Sequence, residues 1–164
     1  MDALIHVYTL ARNSFGETVE ENKNEYCGTF EPKKDGFEIG YTEYLSDDAE
    51  NRVETEINVF ARPGKVILRR KGPYSMILSF ERGQRFETLY QTPFGGFSMS
   101  LFTREVVVEP ENGLIRVTYE MHSGDDLLVH YMEILSDDES DLDAETGAQT
   151  LETVPGTDEG EFPF

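Results

Sequence analysis

Apolar and polar residues alternate with a period of two along most of the first 135 residues. The alternation is clear at Phe37, Ile39 and Tyr41, and the runs are rich in β-branched and aromatic residues. Gly and Pro residues suited to tight turns separate the runs at intervals of about 10 to 13 residues. The pattern predicts ten strands, at residues 3–11, 25–33, 36–44, 53–60, 65–71, 75–81, 85–92, 97–109, 114–122 and 127–135.

Strand follows strand with no helical run between them, which predicts an all-β fold in which neighbouring strands are antiparallel. A meander of about eight to ten strands removes its unpaired edges by closing into a barrel. We therefore expect a single antiparallel meander β-barrel over residues 1–135. A barrel of this size is either filled by its own side chains or holds one small ligand.

The charge of the chain is concentrated at its C-terminal end. The formal net charge is −19, and residues 136–164 contribute ten acidic side chains and no Lys or Arg. This segment has few large apolar residues, so it cannot bury enough surface to offset the entropy of ordering it. Residues 136–164 are predicted to be an acidic, disordered tail, which serves either as a solubilising segment or as an arm that binds a protein partner.

A second segment has the opposite charge. Half of the basic residues lie in residues 62–85, which we call the basic hairpin. It carries seven Lys and Arg residues against the single acid Glu81. These side chains either protect an exposed strand edge from aggregation or bind an anionic partner, including the chain's own tail. Nucleic acid is disfavoured because the net charge repels phosphate and no aromatic RNA-binding motif is present.

Cysteine content and the N-terminal residues favour the cytoplasm. Cys27 is the only cysteine, so no disulfide can form within the chain, and it is predicted to be a small buried apolar residue. Asp2 occupies a place where a secretory signal needs positive charge, and no apolar run approaches the ~20 residues of a membrane span. We expect no membrane association.

The parity of the strands places a few polar residues among the apolar ones that face inward. Glu43 continues the face of Tyr41, and Arg70 continues the face of Val66 and Leu68. Arg70 either forms an internal salt bridge with Glu43 or anchors an anionic ligand, since an unpaired buried charge is costly. The candidate ligand-binding residues are Arg70, Glu43, Tyr41, Tyr90, Tyr119 and Thr92.

Signatures of catalysis and metal binding are weak. The three histidines are far apart in the sequence, and only His122 and His130 could face each other, across the last hairpin. No nucleophile elbow or phosphate-binding loop is present. We predict no catalytic residues, no metal and no cofactor, and leave enzymatic activity open.

Several of these residues occur in an order and spacing that resemble the YwiB-like family of small bacterial proteins, whose function is unknown. The resemblance covers residues 3–135 and is carried by Arg70-x-Gly72, Phe80-x-x-Gly83, Tyr90-x-Thr92-x-x-Gly95, Thr103 and Gly113-x-Ile115-x-Val117-x-Tyr119. It implies a lipocalin-like, or calycin-like, β-barrel in the bacterial cytoplasm. It implies no activity and provides no catalytic residues.

Together these observations predict a non-enzymatic cytoplasmic barrel that binds a small apolar or amphipathic, and potentially anionic, ligand. The alternative is an interaction or regulatory protein that acts through its acidic tail and the basic hairpin. The oligomeric state cannot be inferred from these residues.

Overall fold

The computed structural model describes residues 1–44, 54–123 and 126–138, and these residues form ten β-strands. The predicted acidic tail falls largely outside the described residues. A single turn of 3-10 helix at Pro110–Asn112 separates the last two strands from the rest. The strands are β1 (Asp2–Arg12), β2 (Thr18–Pro32), β3 (Phe37–Tyr44), β4 (Glu54–Arg62), β5 (Lys65–Lys71), β6 (Met76–Glu81), β7 (Arg85–Thr92), β8 (Gly95–Glu109), β9 (Leu114–Ser123) and β10 (Asp126–Asp138).

All neighbouring strands are antiparallel and belong to one sheet with the order β6-β5-β4-β3-β2-β1-β10-β9-β8-β7. This is the meander that the turn spacing predicted, with β1 and β10 paired over ten residues, from Ala3↔Asp138 to Arg12↔Val129. The two edge strands, β6 and β7, are consecutive in the chain. The sheet therefore curls into a nearly closed barrel, as expected for an all-β meander of this length.

The seam between β6 and β7 is held by few backbone hydrogen bonds. A single bridge joins Ser75 to Gln91, with both N···O distances at 2.9 Å. Close to the turn, Thr103 of β8 exchanges backbone bonds with Gly83 and Gln84. The seam is consequently the weakest part of the ring in the residues that the structure describes.

A second separation begins where β2 and β3 diverge. These strands pair only from Thr29↔Gly40 to Pro32↔Phe37, although β2 is fifteen residues long. The sequence prediction began β2 at residue 25, because the preceding residues are polar on both faces and show no alternation. This first half of β2 pairs with β1 alone, so its inward-facing side chains remain exposed to solvent.

One end of the barrel, where β1 begins and β10 ends, is filled by apolar side chains. We call this the apolar end, formed by Ile5, Phe37, Ile39, Val59, Val66, Phe80, Ile115 and Ile134. Each of these side chains is at most 2% exposed, and burying one stabilises the folded state by about 1.5 to 3 kcal/mol. The alternation predicted the inward parity of β3, β4, β5, β6 and β9, which contribute six of these residues, and assigned no parity to β1 or β10.

Solvent reaches the inward-facing positions near the opposite end. Phe97, predicted to face inward, is 54% exposed because the β7–β8 hairpin extends past the packed core. Cys27 was predicted to be buried and is exposed, because it lies on the outer face of β2 opposite Leu4. None of the described segments forms a helix long and apolar enough to span a bilayer.

Candidate functional site

The ion pair between Arg70 and Glu43 lies inside the barrel, at the end opposite the apolar core. Glu43 on β3 pairs with Thr55, and Arg70 on β5 pairs with Ile57, so the two charged side chains meet across β4. The distance from Arg70 Nη2 to Glu43 Oε1 is 3.4 Å, and the side chains are 24% and 22% exposed. The inward orientation predicted for both residues, and their proximity, agree with this geometry.

Two tyrosines support Glu43 from the β2 side. The rings of Tyr26 and Tyr41 stack with centroids 4.6 Å apart, and the Tyr26 hydroxyl donates a hydrogen bond to Glu43 Oε2 at 3.5 Å. Burial, together with the Glu43 charge, raises the pKa of Tyr26 to about 12. Burial also raises the pKa of Tyr41, so both phenols are neutral hydrogen-bond donors at neutral pH.

Tyr26 was not among the predicted site residues. The sequence contained a signal for it, because Tyr26 shares its parity on β2 with Gly28 and Phe30. These alternate residues of β2 face the interior because of the register with β1, in which Tyr26 pairs with the buried Ile5.

The opposite wall is one row of cross-strand partners on the inner face. Thr103 pairs with Tyr119, Tyr119 with His130, His130 with Ala11 and Ala11 with Glu20. The centroid of the Tyr119 ring lies 4.9 Å from that of Phe80 and 4.9 Å from that of the His130 imidazole, on which it stacks with an angle of 7° between the ring planes. Ala11 leaves a gap in the row between the two larger side chains.

Charged groups from both walls act on Tyr119. Burial raises the pKa of Tyr119 to about 12, while the Arg70 charge lowers it and the Glu20 charge raises it. Burial lowers the pKa of His130, and Glu20 opposes this shift. We name this inward-facing group the polar end, formed by Glu20, Tyr26, Tyr41, Glu43, Thr55, Arg70, Thr103, Tyr119 and His130.

Several polar atoms of the polar end have no hydrogen-bond partner among the described residues. The hydroxyls of Thr55 and Thr103 are in side chains with 0% exposure, and Arg70 Nε and His130 Nε2 are also without partners. A packed protein interior satisfies nearly all of its buried polar atoms. Two threonine hydroxyls, one guanidinium nitrogen and one imidazole nitrogen therefore retain hydrogen-bonding capacity at this end.

Two further predicted residues, Tyr90 and Thr92, lie on β7. The Thr92 hydroxyl donates to Gly95 O at 2.9 Å and accepts from Phe94 N at 3.0 Å, so it stabilises the β7–β8 turn. Tyr90 contacts Tyr74 with ring centroids 6.3 Å apart. Of the six predicted residues, Arg70, Glu43 and Tyr41 lie together. Tyr119 lies on the opposite wall and is affected by the Arg70 charge, whereas Tyr90 and Thr92 make their contacts elsewhere.

The histidines form no common site. His122 pairs with Leu127 and is exposed, whereas His130 faces the interior beside Tyr119, so the proposed pairing of the two is wrong. His6 lies on the outer face between Glu25 at 3.1 Å and Asp137 at 2.9 Å. Among the residues that the structure describes, no three His, Cys, Asp or Glu side chains are grouped so as to hold a metal ion.

The basic hairpin at residues 62–85 is partly neutralised by local contacts on the outside of the barrel. Lys65 lies 3.9 Å from Glu81, Arg69 stacks over Phe60, and Arg85 donates to Ser100 Oγ at 3.2 Å. A cleft of about 340 Å³ near the β4–β5 turn is lined in part by Arg62 and Lys65. A protein partner for this surface or for the acidic tail remains a prediction.

The fold and the interior site together describe a ten-stranded antiparallel barrel with one apolar and one polar end. Residues 5–134 match the family model described as a domain of unknown function (DUF1934). The chain therefore belongs to the DUF1934 family, in agreement with the resemblance noted from its motifs.

A solved structure confirms the barrel fold. The crystal structure of the YwiB protein from Bacillus subtilis superposes with a TM-score of 0.62 over 83% of this chain and 90% of that chain, at 23% sequence identity. No curated protein matches the sequence. At this level of identity the similarity establishes the fold alone.

Proposed function

We propose that the protein is a non-enzymatic cytoplasmic binding protein that holds a small amphipathic ligand at the polar end of its barrel. An anionic group of the ligand would bind Arg70, and its apolar part would lie against Leu68, Leu78 and Met76, which line β5 and β6 beneath that side chain. Small-ligand sites have this composition, an apolar wall with a few oriented polar groups.

The incomplete pairing of Arg70 carries the proposal. A guanidinium has five N–H donors, and a charge-assisted N–H···O bond is about 2.7 to 2.9 Å long. The contact with Glu43 is longer, at 3.4 Å, and Arg70 Nε has no acceptor among the described residues. A partly buried cation held this loosely retains the capacity to bind a carboxylate, sulfonate or phosphate.

The cytoplasmic location is part of the proposal. Its support is compositional, since Cys27 is the only cysteine and the barrel contains no disulfide that an oxidising compartment would maintain.

The first test is native mass spectrometry of freshly purified protein, before and after extraction with organic solvent. We expect an adduct that extraction removes, and its mass identifies the ligand. A bare protein mass under several expression conditions would count against a tightly bound ligand.

The second test is a fluorescence titration with 8-anilinonaphthalene-1-sulfonate, which is an amphipathic anion. Arg70→Gln is expected to weaken binding about tenfold or more, because it removes a charged hydrogen-bond donor. Arg69→Gln is the matched control, since Arg69 is the adjacent residue on the outer face and its loss changes the net charge equally. Equal binding by the two variants would exclude Arg70 as the anchor.

Thermal unfolding of the same variants separates the ligand-binding role from a purely structural salt bridge. A ligand anchor predicts that ligand-free Arg70→Gln unfolds close to the wild-type temperature. A large decrease in its melting temperature, combined with unchanged probe binding, would assign Arg70 and Glu43 to the structural bridge instead.

A further inference from the structure

Beyond Arg70, the polar end contains a second, chemically different subsite on the opposite wall. A cleft of about 170 Å³ opens there, lined by Thr9, Leu10, Ala11, Glu20, Tyr119, His130 and Tyr131. It exists because Ala11 has the smallest side chain in its row, between His130 and Glu20. We call it the His130 cleft.

Two groups of the His130 cleft, Glu20 and His130, offer hydrogen-bond acceptors beside the hydroxyls of Thr9, Tyr119 and Tyr131, which can both donate and accept. The Glu20 carboxylate is oriented by Asn22, whose Nδ2 donates to Oε2 at 3.1 Å. His130 Nε2 is buried and has no partner among the described residues. Because burial favours the neutral imidazole, the tautomer with its proton on Nδ1 presents Nε2 as an acceptor. A carboxylate and an imidazole nitrogen at one cleft suit a primary ammonium group.

The balance of charge at the polar end favours the same chemistry. Its charged groups are Arg70, Glu43 and Glu20, which sum to −1 among the described residues. A ligand with only an anionic group would bring the sum to −2, and the resulting repulsion is strongest from Glu43, whose side chain is only 22% exposed, and weaker from the solvent-exposed Glu20. A ligand that also carries a cation leaves the sum at −1.

We infer that the ligand of the polar end is zwitterionic, with its anionic group on Arg70 and an ammonium group in the His130 cleft, on Glu20 and His130. This inference rests on the proposed function and specifies the chemical class of the ligand. The apolar residues between the two walls would contact the hydrocarbon that separates the two charged groups.

The test compares three probes by isothermal titration calorimetry on the full chain: 8-aminooctanoate, octanoate and octylamine. They share the chain length and differ in the charges at its ends. Wild-type protein is expected to bind 8-aminooctanoate about tenfold or more tightly than octanoate, because one additional charged hydrogen bond is made. Octanoate alone is expected to bind more weakly and to require Arg70.

Glu20→Gln and His130→Phe are expected to reduce the preference for 8-aminooctanoate over octanoate to less than about threefold, since each removes one acceptor of the ammonium group. Affinity for octanoate itself should not decrease in Glu20→Gln. Glu21→Gln is the matched control, because Glu21 faces outward and bonds to the Tyr8 hydroxyl at 2.7 Å. It should retain the wild-type preference.

The outcomes distinguish the two proposals. If octanoate binds through Arg70 but 8-aminooctanoate shows no advantage, the zwitterionic class is wrong and the proposed function stands. If the preference survives both Glu20→Gln and His130→Phe, the His130 cleft is not the ammonium site. If none of the three probes binds, both proposals fail.

Discussion

Thr55 and Thr103 place hydroxyl groups inside the barrel, opposite Glu43 and Tyr119 of the polar end. Both side chains have 0% exposure, and neither hydroxyl has a partner among the described residues. Leaving a buried hydroxyl unbonded costs about 1 to 3 kcal/mol. The parity of β4 predicted that Thr55 faces inward, but no local pattern could show that either hydroxyl is unpaired.

Replacement of Thr103 by the isosteric valine tests this cost directly. Thr103→Val should increase the free energy of unfolding by about 1 kcal/mol, because the shape is preserved and the unsatisfied group is lost. Chemical denaturation of ligand-free protein measures the change. Thr103→Ala serves as the control and should be less stable than wild type because it leaves a cavity. A destabilised Thr103→Val would mean that the hydroxyl has a partner.

His6 provides a pH-dependent contact between three strands. The Asp137 hydrogen bond is the largest cause that raises its pKa, Glu25 adds to it and burial opposes it. A group whose pKa is raised in the folded state stabilises the protein when protonated. This stabilisation is complete below about 6.5, the unfolded-state pKa, and is lost as the pH rises through the folded-state value.

Wild-type protein should therefore lose stability relative to His6→Gln when the pH increases from 6 to 8. The ion pairs are partly exposed, so a difference of about 2 °C in melting temperature is expected. Thermal unfolding at both pH values, in low and high salt, measures it. His122→Gln, which changes an exposed histidine, is the control. Parallel pH profiles for wild type and His6→Gln would exclude this role.

At the scale of the strands, the alternation of residues predicted which side chains face inward but not which of them meet. Arg70 and Glu43 were correctly placed inside from parity alone. Tyr26, Glu20 and His130 were missed because their position depends on the register between β2, β1 and β10. Register arises from pairing between strands that are distant in sequence, and no local pattern encodes it.

Gly28 marks the point where β2 and β3 diverge. A Cβ at this position would lie 2.2 Å from Gly40 O and 3.1 Å from Tyr41 Cβ, so the two strands could not keep their present separation. Pairing between them ends at the neighbouring residues, Thr29 and Gly40. The close approach of two glycines brings Tyr26 and Tyr41 together and thereby positions Glu43.

Gly28→Ala is expected to destabilise the fold by about 2 kcal/mol or more, because backbone atoms must shift to admit the methyl group. The variant should also weaken probe binding at Arg70, since Tyr26 would move relative to Glu43. Gly96→Ala is the control, because its Cβ would meet only flexible side chains, Leu89 at 3.2 Å and Gln91 at 3.4 Å. Chemical denaturation measures both, and equal stability of the two variants would refute the argument.

For the whole molecule, the described barrel is completed by the pairing of β10 with β1, which ends at Asp138. The family match covers residues 5–134, within the same boundaries. Residues 139–164 carry eight acidic side chains and no basic ones. The stability of the barrel should therefore be independent of them.

A chain that ends at Asp138 should keep the β-sheet circular dichroism of the full chain and unfold within about 2 °C of it, a change that corresponds to less than about 1 kcal/mol. A chain shortened to residue 128 removes most of β10 and should not fold. If the chain that ends at Asp138 lost more than about 5 °C, residues 139–164 would have to contact the barrel.

The pairing of β1 with β10 also determines how the chain reaches its native state. The other strand pairs along the ring are hairpins or near neighbours in sequence, whereas Ala3 and Asp138 are separated by almost the whole described chain. Contacts with so large a sequence separation form slowly, because a long loop must be closed before they stabilise anything. Before β1 and β10 pair, the chain would form an open sheet of local hairpins. Ile5 and Ile134 would then be exposed to solvent, because the strands that carry them are not yet paired with each other. Crowding during synthesis would favour pairing between chains at these strands, so the rate of ring closure sets the risk of aggregation.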